Sequence, residues 1–133
     1  MRALLIGLML LSVSYAQIVI VVASGSPIDS IKKREVERLF LAKSKRLPNG
    51  EKAIIVEPKE VTLKSYFYKK VLRKSEVQMR SYWAKMVFTG KGSPPKQVKI
   101  EDVEAYLVSH PNAIAYLNST DVSSALKIIM KIP

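Results

Sequence analysis

Residues 17–23, QIVIVVA, form a continuous, mostly β-branched run, the pattern of a strand covered on both faces. Ser24-Gly25-Ser26-Pro27 ends it. Further on, Val36, Leu39 and Phe40 recur at helical spacing, while Lys32, Lys33, Arg34 and Arg38 fall on the opposite side. That predicts an amphipathic helix with a cationic outer face. Leu47-Pro48-Asn49-Gly50 is a turn, and Ala53 to Val56 predicts a second short strand closed by Pro58. Lys64 to Leu72 reads as a short helix. Ser75 and Gln78 then have capping-box spacing, and Met79, Tyr82, Trp83, Met86 and Val87 make one stripe behind them. The stripe predicts a helix with Trp83 largely buried. Gly90, Gly92, Pro94 and Pro95 stop it. Glu101 to Ser109 predicts another helix, cut off before Pro111, and Ala113 to Leu117 and Leu126 to Ile132 predict the last strands. Strands alternating with helices predict an α/β sandwich around a mixed sheet. There is no internal repeat and no linker.

The beginning of the chain changes the compartment. Arg2, the apolar run Ala3 to Leu11 and the small residues of Ser14-Tyr15-Ala16 have the layout of a secretory signal. Cleavage after Ala16 is expected, leaving 17–133 as one domain, large enough to bury a core without staples. Ser12, Ser14, Tyr15 and Gln17 interrupt the apolar run, which argues against a spanning helix of roughly 20 apolar residues. No cysteine is present, which excludes a lipoprotein, disulfides and thiolate chemistry. The net charge of +11 would suggest nucleic acid in a cytoplasmic protein. In an exported protein it suits anions, acidic proteins or an anionic membrane surface, so no nucleic-acid partner is expected.

Little in the sequence supports catalysis. TGKGSPPK, residues 89–96, lacks the Walker spacing, because Lys91 is followed by Gly92. It also follows a helix, where the negative dipole end repels anions. His110 is the only histidine; beside Pro111 at a helix end it has no visible partner base or nucleophile. No ligand set for zinc is visible, and no cofactor is expected. Ser24, Gly25 and Ser26 are more suggestive, since hydroxyls and backbone N–H groups after a buried strand suit an oxyanion. The segment Lys32 to Arg46 carries seven Lys and Arg against Glu35 and Glu37. Such a run reads as a solvated face or, given its one-sidedness, as a surface for an acidic partner.

Several segments together carry a family resemblance. EVERLFLAKSKRLPNGEKAIIVE, SYFYKKVL, VQMRSYWAKMVFTGKGSPPK and HPNAIAYL resemble, in this order, the small phosphate ABC transporter substrate-binding-like proteins. The resemblance implies a periplasmic protein with a single lobe of the type 2 periplasmic binding protein fold. It also implies phosphate or a similar oxyanion as ligand, held by Ser24, Gly25 and Ser26 after the first strand and by Thr62 at a helix start, with Lys59 or Lys64 supplying charge. Asn112 and Ala115 stand where the family has glycines, and the TGKGSPPK loop is a fingerprint of the family outside its phosphate-binding segments.

Two functions follow as expectations. One is a receptor-like protein that binds an oxyanion weakly through a half-cleft. The other is a ligand-free interaction module that docks onto an acidic periplasmic protein or an ABC transporter through Lys32, Lys33, Arg34 and Arg38. An enzyme is not expected.

Overall fold

A computed structural model of the chain describes residue 7 and residues 17–133. The signal-like stretch, with its expected cleavage after Ala16, lies outside the described residues.

The first element is β1, Ile18–Ala23, an interior strand buried at every position. It is followed by α1 (Lys33–Phe40), β2 (Ile54–Pro58) and α2 (Val61–Phe67), which runs on into a π-helical turn, Tyr68–Leu72. Next come α3 (Glu76–Phe88), β3 (Lys96–Val98), α4 (Val103–Ser109) behind a 3₁₀ turn, β4 (Ala113–Asn118) and β5 (Leu126–Ile132). The five strands form one sheet in the order β3-β2-β4-β1-β5. β2 is parallel to β3 and β4, whereas β1 is antiparallel to both of its neighbours, β4 and β5. The result is the mixed sheet flanked by helices that the alternation of elements predicts.

Both faces of the sheet are covered, which is why β1 can be apolar throughout. Ile18, Ile20 and Val22 join Val36, Leu39 and Phe40 of α1, Leu63 and Phe67 of α2 and Met79 of α3 in one core layer. Val19 and Val21 point the other way and pack with Val103 and Leu107 of α4. Each such side chain contributes about 1.5–3 kcal/mol on burial. The first layer holds a ring cluster: Phe67 stacks on Tyr116 with centroids 3.8 Å apart, and Phe40 meets both rings edge-on or tilted.

The structure departs from the expected pattern at β2, α2 and α3, and it adds β3, a strand that no apolar run marks. β2 runs two residues past Val56 and carries Glu57 into the interior. α2 starts at Val61, three residues earlier than Lys64, because Glu60 caps it. In α3 the capping box forms, with Ser75 Oγ accepting from Gln78 N and Gln78 Oε1 accepting from Ser75 N. Its stripe, however, is buried only at Met79, with Tyr82, Trp83 and Met86 partly covered and Val87 57% exposed. The expectation of a largely buried Trp83 is therefore corrected. α3 does not lie across the sheet; it leans on the end of α1, where Tyr82 Oη donates to the Leu41 carbonyl at 2.6 Å.

Candidate functional site

In open sheets, ligands sit beyond the carboxyl ends of parallel strands. Here that end is defined by β2, β3 and β4, and strand direction decides which residues reach it. Ile18 faces Asn118 and Val21 faces Ala115, while Ile54 lies beside Ala113 and Val56 beside Ala115. The start of β1 therefore adjoins the carboxyl ends of β2 and β4, and the end of β1 adjoins their beginnings. Ser24, Gly25 and Ser26 are thus at the opposite end of the sheet from Thr62 and Lys64, about 20 Å away along a six-residue strand. The structure does not bring the two expected halves of an oxyanion site together.

At the far end, the Ser24–Ser26 turn is knitted into the fold. Ser24 N and Oγ donate to the carbonyls of Ala125 and Ser124 at 3.0 and 2.7 Å. Ser26 is 4% exposed; its N donates to the Ala23 carbonyl, and its Oγ accepts from Ile28 N at 3.3 Å. Lys127 Nζ donates to the Ser26 carbonyl and pairs with Asp29, each at 2.7 Å. Gly25 is exposed.

The carboxyl end of β2 is also occupied from within. Glu60, the N-cap of α2, accepts from Thr62 N at 3.1 Å and from Leu63 N at 2.6 Å. These are the first-turn donors that an external oxyanion would use. Lys64 Nζ donates to Gln97 Oε1 at 2.7 Å and lies 3.5 Å from Glu57 Oε1. Glu57 is only 2% exposed. Tyr68 Oη and Gln97 Nε2 donate to its carboxylate at 2.8 and 2.9 Å. Burial first, then the charge and hydrogen bond of Glu57, push the Tyr68 hydroxyl far above the ordinary tyrosine range. The Tyr116 hydroxyl is pushed up by burial and then by the charge of Glu57, and its Oη has no hydrogen-bond partner.

A shallow hollow of about 310 Å³ opens beside this end, lined by Gln17, Ile18, Glu60, Thr62, Tyr66 and Asn118. Its charged group is a carboxylate, which disfavours an anion. Of the expected donors only Thr62 is there, and it is exposed; Lys59 is exposed after β2 and is not part of the lining. Glu57, Tyr68 and Gln97 are the polar residues that the sequence reading missed. A glutamate directly behind an apolar run is the one signal that could have suggested them.

The cationic face is as expected in placement. Lys32, Lys33, Arg34 and Arg38 are all exposed along α1. Among the described residues the ion pairs are Lys64–Glu57 and Lys127–Asp29, and neither includes a member of that face. His110 stacks on Tyr106 with ring centroids 4.1 Å apart, and its Nδ1 lies 2.9 Å from the Tyr106 carbonyl oxygen. It serves the end of α4. Among the described residues no His, Cys, Asp and Glu cluster has the makings of a metal site, and no helix is long and apolar enough to cross a membrane.

No family model and no curated protein matches the chain. Solved structures do match. An ABC-type phosphate transport receptor from Vibrio cholerae superimposes with a TM-score of 0.57 at 11% identity, over 86% of this chain and 46% of the receptor. A protein assigned as a phosphate ABC transporter substrate-binding protein from Clostridium perfringens, with bound phosphate, gives 0.62 at 13% identity over 86% and 44%. PstS from Borrelia burgdorferi gives 0.60 at 11% identity over 86% and 46%. This chain spans less than half the length of these proteins. It has the fold of one part of a phosphate-receptor-type periplasmic binding protein, as the sequence resemblance implies.

Proposed function

We propose that this chain is an exported, non-catalytic, receptor-like lobe that acts by docking to an acidic partner, rather than by capturing phosphate. Removal of residues 1–16 and residence in the periplasm belong to the same proposal. The observation that carries it is Glu60. The N–H groups of Thr62 and Leu63 are held by the protein's own carboxylate, so an external anion would have to displace a tethered one. Its effective concentration there is on the order of millimolar or more. Lys64 is likewise engaged with Glu57 and Gln97, and Ser24 to Ser26 lie at the other end of the sheet. Among the described residues, by contrast, no carboxylate is paired with the cations of α1. Transport receptors as structural relatives support a non-enzymatic role.

A second reading, weak oxyanion binding in the half-cleft, is favoured by the likeness to a structure with bound phosphate. It implies a Kd on the order of 0.1–10 mM, or roughly −5.5 to −2.7 kcal/mol. A phosphate titration followed by backbone amide NMR separates the two, with chloride at matched ionic strength as the control. The expected result is no saturable shift at Ser24–Ser26, Thr62 or Leu63, together with a new, weak response at Thr62 and Leu63 in Glu60→Ala. Saturation of those two amides in the unaltered protein with Kd below about 1 mM would overturn the docking proposal in favour of anion binding.

A further inference from the structure

A hollow of about 520 Å³ beside the start of β2 shares no lining residue with Ser24–Ser26 or with the Glu57 and Glu60 clusters. It is a groove between the chain leaving α1, the start of β2, the second half of α3 and the 89–95 loop. Its floor and walls are apolar, with Ile54, Ile55, Trp83, Val87, Pro94 and Pro95. β3 pairs with β2 only from Val56 onward, so Ile54 and Ile55 have no strand beside them on that side. Lys45, Lys52 and Lys96 stand around the groove, and its lining contains no carboxylate. Trp83 is partly covered and Val87 largely open.

The walls are fixed. Tyr82 Oη ties α3 to the Leu41 carbonyl at 2.6 Å. A Cβ at Gly92 would come within 3.0 Å of the Ala42 Cβ and 3.2 Å of the Met86 Cε, so the loop packs tightly against the turn after α1 and against α3. A groove held open in this way loses little freedom on filling.

We propose that this groove is the seat of an extended, acidic segment of a partner protein that inserts one aromatic or branched aliphatic side chain against Trp83. The inference rests on the docking proposal and gives it a location and a partner chemistry. An apolar slot rimmed by one sign of charge matches an apolar anchor flanked by carboxylates. The anchor supplies most of the selectivity in a desolvated pocket, and the lysines contribute encounter rate and register. The open start of β2 suits an extended occupant.

Trp83 is the only tryptophan in the chain, so its emission and its indole N–H signal report on the groove alone. The probe is a short synthetic peptide of alternating Asp and Ser around one central Phe. Controls replace the Phe by Ser, or every Asp by Lys. The Phe peptide should shift the indole signal saturably, and the version without Phe should bind about fivefold more weakly or worse. Lys45→Glu with Lys52→Glu should weaken it about tenfold, whereas Lys99→Glu with Lys131→Glu, outside both the groove and α1, should leave it within about twofold. All four lysines are exposed, so these variants are expected to fold. An unmoved indole, or equal binding with and without the Phe, overturns the proposal. If the peptide binds but moves only the amides of α1, the groove is refuted while docking through a basic surface survives. If no acidic peptide binds anywhere, both fail.

Discussion

Tyr116→Phe removes one oxygen from the centre of the protein and should make it more stable. The ring of Tyr116 stacks on Phe67 with centroids 3.8 Å apart and planes inclined by 6°, and it meets Phe40 at 5.6 Å. A phenylalanine keeps all of that. The residue is fully buried, and its hydroxyl has no hydrogen-bond partner. A buried polar group left unpaired costs roughly 1–3 kcal/mol. The void left by one oxygen, ~10–20 Å³, costs about 0.2–0.5 kcal/mol at ~24 cal/mol per Å³. The balance is a gain of roughly 0.5–3 kcal/mol, or a rise in Tm of about 2–15 °C. Tyr68→Phe is the internal contrast. It deletes a 2.8 Å bond to the buried Glu57 carboxylate and should cost about 1.5–3 kcal/mol. Urea unfolding followed by Trp83 emission measures both, with an unchanged m value as the check that only stability has moved. If Tyr116→Phe is instead destabilising by more than about 1 kcal/mol, the reasoning fails, and the hydroxyl must be bonded in solution, with Glu57 as its acceptor.

Alkaline pH should act through the same two tyrosines. Burial first, then Glu57, holds both hydroxyls protonated well above the ordinary value of 10.0. Stability is thus full below about pH 10 and falls above it by roughly 1.4 kcal/mol per pH unit for each tyrosine; urea midpoints between about pH 9 and 11 should show the slope, and Tyr68→Phe should make it shallower. Gly92→Ala forces a Cβ against Ala42 and Met86 and should cost about 1–3 kcal/mol by overpacking, while broadening the Trp83 indole signal. Ser75→Ala removes the cap at the start of α3 and should cost about 1 kcal/mol, read by thermal unfolding; a null effect would mean that α3 frays there anyway.

The elements were legible because each has its own local signature. The β-branched run Ile18–Ala23, the Val36, Leu39, Phe40 spacing and the Ser75–Gln78 box all form as read. Strand direction was not legible. Nothing in IVIVVA states whether its neighbours run with or against it, and that one property moves Ser24–Ser26 to the wrong end for Thr62. Glu57 was hidden for a different reason. Its burial depends on Lys64, Tyr68 and Gln97, which are dispersed along the chain, and local pattern argues against a charge inside a strand. The α3 stripe misled because helical spacing marks an apolar face without saying whether the sheet or an open groove lies beneath it. β3, three residues long with two of them exposed, has too little pattern to read.

The pairing of β1 with β5 bears on when this chain can fold. Ile18 sits opposite Ile132 and Ala23 opposite Leu126, contacts that close loops of roughly a hundred residues. Local helices can form early, but β1 gains its second neighbour only when β5 is present. Such high contact order slows folding, because loop-closure entropy is lost before the contacts that offset it are made. An emerging or truncated chain without residues 126–132 would expose one edge of an apolar, β-branched strand, a template for pairing with other chains. The interval in which that edge needs protection is the one before β5 pairs with β1.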